Sequence, residues 1–361
     1  MNPFRFITQK FSPSYLGIDI GTTSIKAVEV KKGNGLPQVV NYGFLESSGH
    51  LLRSNDVLQT SSLKISEDQV IANLKMVIKK MKPKTNIALA SIPVFSVFMT
   101  VFDFPEMSQG DLEKSLAFQA RQYIPLPISE VALDWIKVGE REDDKGFKYE
   151  QVLLISVPQE LIKKYQFIFK SVGLKLKALE IENLSLARGL SSGDPTQTII
   201  VDIGSLSTDI SFVSNGQVRF NSQSDYASAS LTQALATSLN ISPIRAEELK
   251  KEHGIINLGP NYELSTIMLP FLDVIINEVR KAQFNYESQF PGTAKIERII
   301  LSGGGANLVG IEKYFEKDFN LPVVKAAPFS KFSYPSSIEL LVGELNPLMS
   351  VALGLALREF T

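Results

Sequence analysis

The stretch YLGIDIGTTSIKAVEV, residues 15–30, has a counterpart in TIIVDIGSLSTDISFV, residues 198–213. In each stretch an apolar run ends in Asp-Ile-Gly, a small polar turn follows, and a second apolar run begins. Two apolar runs joined by a short turn of glycine and small hydroxyl residues are typical of a β-hairpin. We therefore predict the same hairpin twice, with turns at Gly21–Ser24 and Gly204–Ser207.

Both turns have the residue types that phosphate binding requires. Glycine lets a ligand approach the backbone, and the neighbouring Thr22, Thr23 and Ser205 offer hydroxyl donors. Asp19 and Asp202 lie at the ends of the leading strands, and one carboxylate from each hairpin suits a magnesium ion that keeps several waters. The two hairpins therefore predict one cleft that binds phosphate and magnesium. Lys26 follows on the returning strand, where it either reaches a phosphate or is an ordinary exposed lysine.

Composition excludes several classes of function. A chain of 361 residues predicts at least two domains, and the absence of cysteine with only two histidines excludes disulfides, cysteine nucleophiles and Cys/His zinc sites. The 37 basic residues nearly balance the 38 acidic ones, so no overall field recruits nucleic acid or acidic lipid, and such a partner would have to bind locally. No apolar run reaches the roughly 18 residues of a membrane span.

The order of predicted elements divides the chain. Strands with a crossover helix predict an α/β layer, and from residue 94 a strand-helix-strand-strand-helix unit reads as an inserted subdomain. Asn346 as a cap and Pro347 at a first helical position predict the final helix. The predicted parts are an N-terminal tail at 1–14, a first lobe core at 15–93, the insert at 94–175, a return to the first lobe at 176–195, a second lobe at 196–335 with a helical part at 225–292, and a closing C-terminal helix within 336–361.

Two further sites have a functional and a structural interpretation, and one more residue is a catalytic candidate. The run Ser302–Ala306, with Gly303, Gly304 and Gly305, either holds a nucleoside against the backbone or forms a tight turn. Glu247 and Lys250 lie one helical turn apart, where they either face a ribose or adenine or form a solvated pair. Glu182 follows a predicted strand and is a candidate for orienting a water against a γ-phosphate, a role that the sequence leaves undecided.

An apolar, proline-rich set flanks the predicted helix of the insert. Proline-rich apolar ends are difficult to bury in a sheet, so part of the set is predicted to line a peptide groove, and local core is the alternative. The candidate partner-binding residues are Phe104, Pro105, Tyr123, Ile124, Pro125 and Leu126.

These elements, in this order, resemble the superfamily of actin, heat-shock chaperone and sugar-kinase ATPases. The place of the insert resembles the bacterial division protein FtsA and the PilM family of type IV pilus assembly. The runs FPEM at 104–107, QYIPLP at 122–127 and LDW at 133–135 look closely like the PilM family. The resemblance covers residues 15–358 and implies an α/β actin-like ATPase fold, with two RNase H-like lobes around a nucleotide cleft and an insert in the first lobe.

The resemblance also implies a function and site residues. ATP and magnesium would bind between the lobes, with Asp19 and Asp202 holding magnesium through water, and with Glu182 and Asp202 as the catalytic candidates. A groove beside the insert would take the cytoplasmic N-terminal tail of a PilN-like inner-membrane protein, so the chain would be a cytoplasmic adaptor, peripheral to the inner membrane, with other pilus assembly components near it. The implied cofactor-binding residues are Asp19, Gly21, Thr22, Thr23, Lys26, Asp202, Gly204, Ser205, Glu247, Lys250, Gly303, Gly304 and Gly305.

Two other functions are compatible with the same cleft. An FtsA-like membrane-associated filament protein is the nearer alternative, although the chain ends at Thr361 directly after the predicted closing helix, without an amphipathic appendage. A sugar or metabolite kinase is less favoured, because the insert is apolar where a substrate pocket needs polar donors. The sequence leaves ATP hydrolysis and self-association open.

Overall fold

The computed structural model describes residues 13–46, 66–143, 145–256, 262–292 and 294–361. The predicted tail at 1–14 lies almost wholly outside these ranges. The segment 47–64, for which the sequence suggests no role, lies wholly outside them. Within them the chain folds into three sheets with helices between and around them, and this confirms the predicted α/β class.

Five strands form the first sheet in the order β3-β2-β1-β4-β8. The leading hairpin and the next strand are antiparallel, and β4 and β8 run parallel to β1. Their core side chains are mostly aliphatic because helices cover both faces of this sheet. The strands are β1 Ser14–Ile20, β2 Ser24–Lys31, β3 Gln38–Glu46, β4 Ile87–Ile92 and β8 Lys175–Ile181.

The second sheet repeats this topology in the order β11-β10-β9-β12-β13. In both sheets a hairpin and a third antiparallel strand are followed by two strands parallel to the first. The repeated sheet therefore confirms two lobes of one kind. Its strands are β9 Thr198–Ile203, β10 Thr208–Ser214, β11 Gln217–Ser224, β12 Arg298–Ser302 and β13 Val323–Lys325.

Helices α4 (Glu182–Ser191) and α10 (Ser350–Leu357) lie between the two sheets. Leu186 and Leu355 share one buried cluster with Leu89 of the first sheet and Ile200 of the second. The outer face of the first sheet carries α1 (Glu67–Met81) and α3 (Gln159–Ser171), and that of the second carries the remaining long helices. These are α5 Ser228–Leu239, α6 Pro243–His253, α7 Tyr262–Gln289 and α8 Ile311–Phe319.

The insert is a three-stranded antiparallel sheet of order β5-β7-β6 with one helix, α2. Alternate residues of β7 face opposite ways: Val152 and Leu154 pack against α2, whereas Leu153 and Ile155 join the core of the second lobe. The insert, which enters from the first lobe, thus rests on the second. Its elements are β5 Phe98–Pro105, α2 Gln109–Tyr123, β6 Val131–Glu142 and β7 Lys148–Pro158. Helix α3, which the sequence places in the insert, packs instead on the first sheet through Phe169.

The predicted start of the closing helix was wrong. Pro347 lies in the last turn of a separate helix, α9 (Val342–Leu348), and α10 begins at Ser350 after a bend of 90°. Asn346 does not cap a helix, because its Oδ1 accepts a hydrogen bond from the Phe329 N–H at 3.1 Å. In the described ranges no single helix is both long and apolar enough to cross a membrane. The bent pair reaches the length and apolar composition of a span only when its two helices are taken together.

Candidate functional site: a cleft between the lobes

The two predicted hairpins close with the same hydrogen bond. The Gly21 N–H donates to Ser24 O at 2.9 Å, and the Gly204 N–H donates to Ser207 O at 2.9 Å. A Cβ at Gly204 would lie 2.8 Å from Ser207 O, so a larger residue would open this turn. These two glycine N–H groups therefore hold the turns, and phosphate donors must come from their neighbours.

In the first hairpin, an aspartate and a lysine face each other across the strands. Asp19 is the cross-strand partner of Lys26, and Lys26 Nζ lies 2.9 Å from Asp19 Oδ2. The second oxygen of Asp19 accepts from Ser91 Oγ at 2.8 Å. Burial opposes the charged form of Lys26, but the adjacent Asp19 carboxylate keeps its pKa above the usual value. Asp19 is thus already paired, and a cation held by it would have to be bound through water or displace Lys26.

In the second hairpin the lysine position is taken by another carboxylate. Asp209 is the cross-strand partner of Asp202, as Lys26 is of Asp19. Asp209 is 7% exposed, and its Oδ1 has no hydrogen-bond partner in the described part of the chain. Burial and the adjacent Asp202 carboxylate raise the pKa of Asp209 to about 8. Asp209 was not among the site residues predicted from the sequence, although it follows Asp202 by the same seven residues that separate Lys26 from Asp19.

Glu182 adds a fourth carboxylate from the first lobe. It is the first residue of α4, directly after β8, as the sequence predicts. Burial, followed by the charges of Asp19 and Asp209, raises the pKa of Glu182 well above its usual value. The pKa of Asp202 is also raised, first by burial. The carboxyl groups of Asp19, Asp202 and Glu182 all act on the charge of Lys26, so carboxyl groups outnumber ammonium groups beside the two hairpins.

This donor set fits a hydrated magnesium ion. In the described ranges no three acidic or histidine side chains converge closely enough to ligate a metal directly. Magnesium commonly takes one or two carboxylates and completes its shell with water and phosphate oxygens. Asp202 and Asp209, whose Oδ1 has no hydrogen-bond partner in the described ranges, would supply the carboxylates.

On the second-lobe side of the cleft, α6 contributes a buried ion pair. Lys250 Nζ lies 2.7 Å from Glu247 Oε2, and it also donates to Ser228 Oγ at 2.7 Å and Thr232 Oγ1 at 2.8 Å. Burial lowers the pKa of Lys250. All its donors are occupied within the protein, so its first effect is to join α6 to α5. The sequence pattern located this pair but did not show these contacts.

The glycine loop after β12 combines packing with an open surface. Gly303 has a φ of +81°, and a Cβ there would lie 2.4 Å from Ile203 O. A Cβ at Gly305 would lie 2.3 Å from the Ile203 side chain. At Gly304 the only near atom would be Leu348 Cδ2 at 3.5 Å. The outer glycines hold the loop against the end of β9, and Gly304 exposes backbone to the cleft.

The cleft has a volume of about 620 Å³ and is lined by both lobes. This lies within the usual range for small-molecule and cofactor sites. The structure brings Glu182 and every predicted cofactor-binding residue to its lining, namely Asp19, Gly21, Thr22, Thr23, Lys26, Asp202, Gly204, Ser205, Glu247, Lys250, Gly303, Gly304 and Gly305. At its edge, Lys251 Nζ of α6 lies 3.6 Å from Glu46 Oε2 at the end of β3, an ion pair between the lobes.

The predicted partner-binding residues separate into two groups. Phe104 and Ile124 are 5% and 8% exposed and belong to the core between α2 and the insert's sheet, which was the alternative interpretation. Tyr123 and Leu126 are 54% and 40% exposed, and Pro105 and Pro125 are exposed as well. The rest of the insert also presents large apolar side chains to solvent: Phe118, Leu133, Ile136 and Phe147.

Comparison with known proteins identifies relatives of this chain. The family model of the type IV pilus assembly protein PilM matches residues 17–360. The chain is 23% identical to the cell division protein FtsA of Neisseria meningitidis serogroup B over 282 residues, which is 69% of this chain and 66% of that protein.

Solved structures share the fold. A PilM-PilN type IV pilus biogenesis complex superposes with a TM-score of 0.79 at 21% identity, covering 97% of this chain and 99% of that one. MreB5 of Spiroplasma citri bound to AMPPNP superposes with a TM-score of 0.56 at 15% identity, covering 96% of each chain. These likenesses confirm the actin-like fold, and the match of the family model over residues 17–360 shows that this chain belongs to the PilM family of type IV pilus assembly proteins.

Proposed function

We propose that this actin-like pilus assembly protein binds ATP with magnesium between its lobes and docks the cytoplasmic N-terminal tail of a PilN-like inner-membrane protein on its insert. It would then act as an adaptor on the cytoplasmic face of the inner membrane. The proposal of nucleotide binding rests mainly on one observation: the Asp202–Asp209 carboxylate pair lines the same cleft as the Lys26–Asp19 pair. The MreB5 structure with AMPPNP and the PilM-PilN complex support the two parts by analogy.

Charge makes magnesium part of the proposed ligand. A nucleoside triphosphate carries about four negative charges, and beside the two hairpins the cleft offers Lys26, already paired with Asp19, together with Asp202, while Glu182 and Asp209 add negative charge only when they are ionised. Free ATP would be repelled, whereas a magnesium ion between phosphates and Asp202 and Asp209 would balance the charge. Isothermal titration should therefore detect ATP binding with magnesium and at least about tenfold weaker binding in EDTA, which corresponds to roughly 1.4 kcal/mol. Absence of binding by the folded protein in magnesium would contradict the proposal.

The insert supplies the proposed docking surface. Tyr123 packs its ring 5.0 Å from that of Phe102, yet more than half of its surface is exposed. Together with Leu126 it offers an apolar anchor of the kind that peptide grooves use. A pull-down from bacterial membranes should recover the membrane partner with the native chain and lose it with Y123A/L126A. The variant F284A removes an even more exposed aromatic group from the second lobe and should retain the partner. Equal recovery by both variants would contradict this surface.

The fold provides a route from the cleft to the insert. The Ser228 N–H donates to Gly204 O at 3.2 Å, and the Ala229 N–H donates to Ser205 O at 2.9 Å, so the second hairpin is tied to the start of α5. The core of the second lobe in turn contacts Leu153 and Ile155 of the insert. We infer that the lobes close on nucleotide, and that this closure shifts the insert and changes its affinity for the partner. Nucleotide binding and partner binding would then be coupled by the same free energy in both directions.

ATP hydrolysis is a separate proposal, and we expect it to be slow. A carboxyl group accepts a proton only when it is ionised, and burial raises the pKa of Glu182 and so reduces its ionised fraction. Weak turnover is therefore expected, with Glu182 and Asp202 as the candidate groups. The similarity to FtsA supports the alternative of a membrane-associated filament. Sedimentation with ATP in the absence of lipid separates the two, because an adaptor stays in the supernatant whereas filaments pellet.

A further inference from the structure

The outer surface of the first lobe is formed by α1 and α3, on the side of the first sheet that faces away from the second lobe. The two helices lie side by side, since Leu74 and Val77 of α1 share a buried cluster with Tyr165 and Phe169 of α3. Their opposite sides form one continuous solvent-facing surface, here called the α1–α3 face.

The α1–α3 face concentrates positive charge in a chain whose formal net charge is only −1. The 18 residues from Glu67 to Lys84 contain five lysines and two acidic residues, and the 17 from Gln159 to Lys175 contain four lysines and one acidic residue. The exposed lysines among them have no ion-pair partner in the described part of the chain, and they are Lys75, Lys79, Lys80, Lys82, Lys84, Lys163, Lys170 and Lys175.

Helix stability alone explains only part of this pattern. Lysines in a last turn and acids in a first turn complement the helix dipole, and this accounts for Lys79, Lys80 and Lys170. Lys75 and Lys163 lie in the body of their helices, where the dipole gives no such preference. On both helices they lie on the side opposite the buried residues.

Two large apolar side chains project from the same face. Met76 is 45% exposed and Phe167 is 55% exposed. Phe167 lies four residues after Lys163 and three before Lys170, so the three side chains neighbour one another on the helix surface. Apolar residues among lysines on a helix surface are typical of helices that lie on a membrane, with lysines on the head groups and the apolar groups just below them.

We propose that the α1–α3 face binds the surface of an acidic phospholipid bilayer directly. Each lysine near an anionic bilayer adds favourable energy, and the two apolar groups add shallow insertion. The contact is weak by itself, but it would add to any tether that already holds the protein at the membrane. It would also fix which side of the first lobe faces the lipid. This inference does not rest on the proposed partner or on nucleotide binding.

Vesicle flotation tests the proposal. The native chain should float with vesicles containing phosphatidylglycerol, stay behind with pure phosphatidylcholine, and be released at about 0.5 M NaCl, where charges are screened within a few ångströms. The partition coefficient of the variant K75E/K79E/K163E for the acidic vesicles should be at least about tenfold lower than that of the native chain. The matched variant K295E/K313E/K317E makes the same charge change at three exposed lysines of the second lobe and should bind almost as the native chain does.

A second variant tests whether lipid or an acidic protein is the occupant. M76S/F167S keeps every charge and should weaken vesicle binding severalfold, because the inserted apolar area is lost. Polyglutamate serves as the acidic protein probe. Native binding to polyglutamate as strong as to the vesicles, with no effect of M76S/F167S, would overturn the proposal, as would failure of the native chain to bind acidic vesicles. Equal vesicle binding by the native chain and K75E/K79E/K163E would also overturn it. Thermal unfolding of each variant verifies that it is folded.

Discussion

Replacing Asp209 by asparagine should stabilise the protein without ligand and weaken its binding of magnesium and ATP. The folded state raises the pKa of Asp209 to about 8, whereas the unfolded chain has the ordinary value near 4. From about pH 4 to pH 8 the folded protein thus keeps a proton that the unfolded chain releases. The stabilisation from this group is complete below about pH 4 and is lost as the pH rises to about 8.

The size of the effect follows from this difference in pKa. Each unit corresponds to about 1.4 kcal/mol, so a shift of about four units sets an upper limit of about 6 kcal/mol on the penalty at pH 8 and above. Water entry and rearrangement around the Asp202–Asp209 pair screen part of it. We therefore expect D209N to raise the free energy of unfolding by roughly 1–3 kcal/mol at pH 8 in EDTA.

Urea unfolding at pH 5.5 and pH 8, first in EDTA and then with magnesium and ATP, provides the measurement. In EDTA the native chain should lose stability between the two pH values, and D209N should lose much less. With saturating ligand the order should reverse, because only the native chain retains both carboxylates for magnesium.

Asp194 provides a matched control with the opposite shift. Hydrogen bonds from Thr196, with the nearby Arg298, lower its pKa to about 2, so D194N should destabilise the protein at both pH values. The reasoning would be refuted if D209N were the less stable protein at pH 8 in EDTA while native stability stayed constant between pH 5.5 and pH 8.

Three further outcomes are expected. K26M leaves a buried aspartate unpaired, so it should cost about 3–5 kcal/mol of stability in urea and abolish ATP binding in calorimetry; a variant as stable as the native chain would contradict the pairing. G304A should fold normally and weaken ATP binding. G303A should lower the free energy of unfolding by at least about 1 kcal/mol, because position 303 has a φ of +81°. Equal effects of the two variants would show that Gly304 does not face the ligand. K251A removes the ion pair to Glu46 across the cleft and should speed release of a fluorescent ATP analogue about two- to fivefold at low salt only, since exposed pairs contribute up to about 1 kcal/mol; an identical effect at high salt would refute this role.

The sequence predicted the hairpins and the cleft well because their determinants are local. Turn sterics at Gly21 and Gly204 and the two-residue period of the strands depend on a few adjacent residues. The start of the closing helix was predicted wrongly because Asn346 has a non-local partner, the backbone of Phe329. Phe104 looked available for a partner, yet tertiary packing buries it under α2. The family resemblance was confirmed over nearly the whole chain.

By itself the sequence determined that two Asp-x-Gly hairpins, a glycine loop and an insert occur in the order of an actin-like fold. It did not determine the electrostatics of the cleft. Asp19, Glu182, Asp202 and Asp209 come from two lobes and from distant parts of the chain, and only the packing of both sheets on α4 and α10 brings them together. The pKa of a carboxylate depends on its burial and on the charges around it, so the proposed need for magnesium was decided by the tertiary structure.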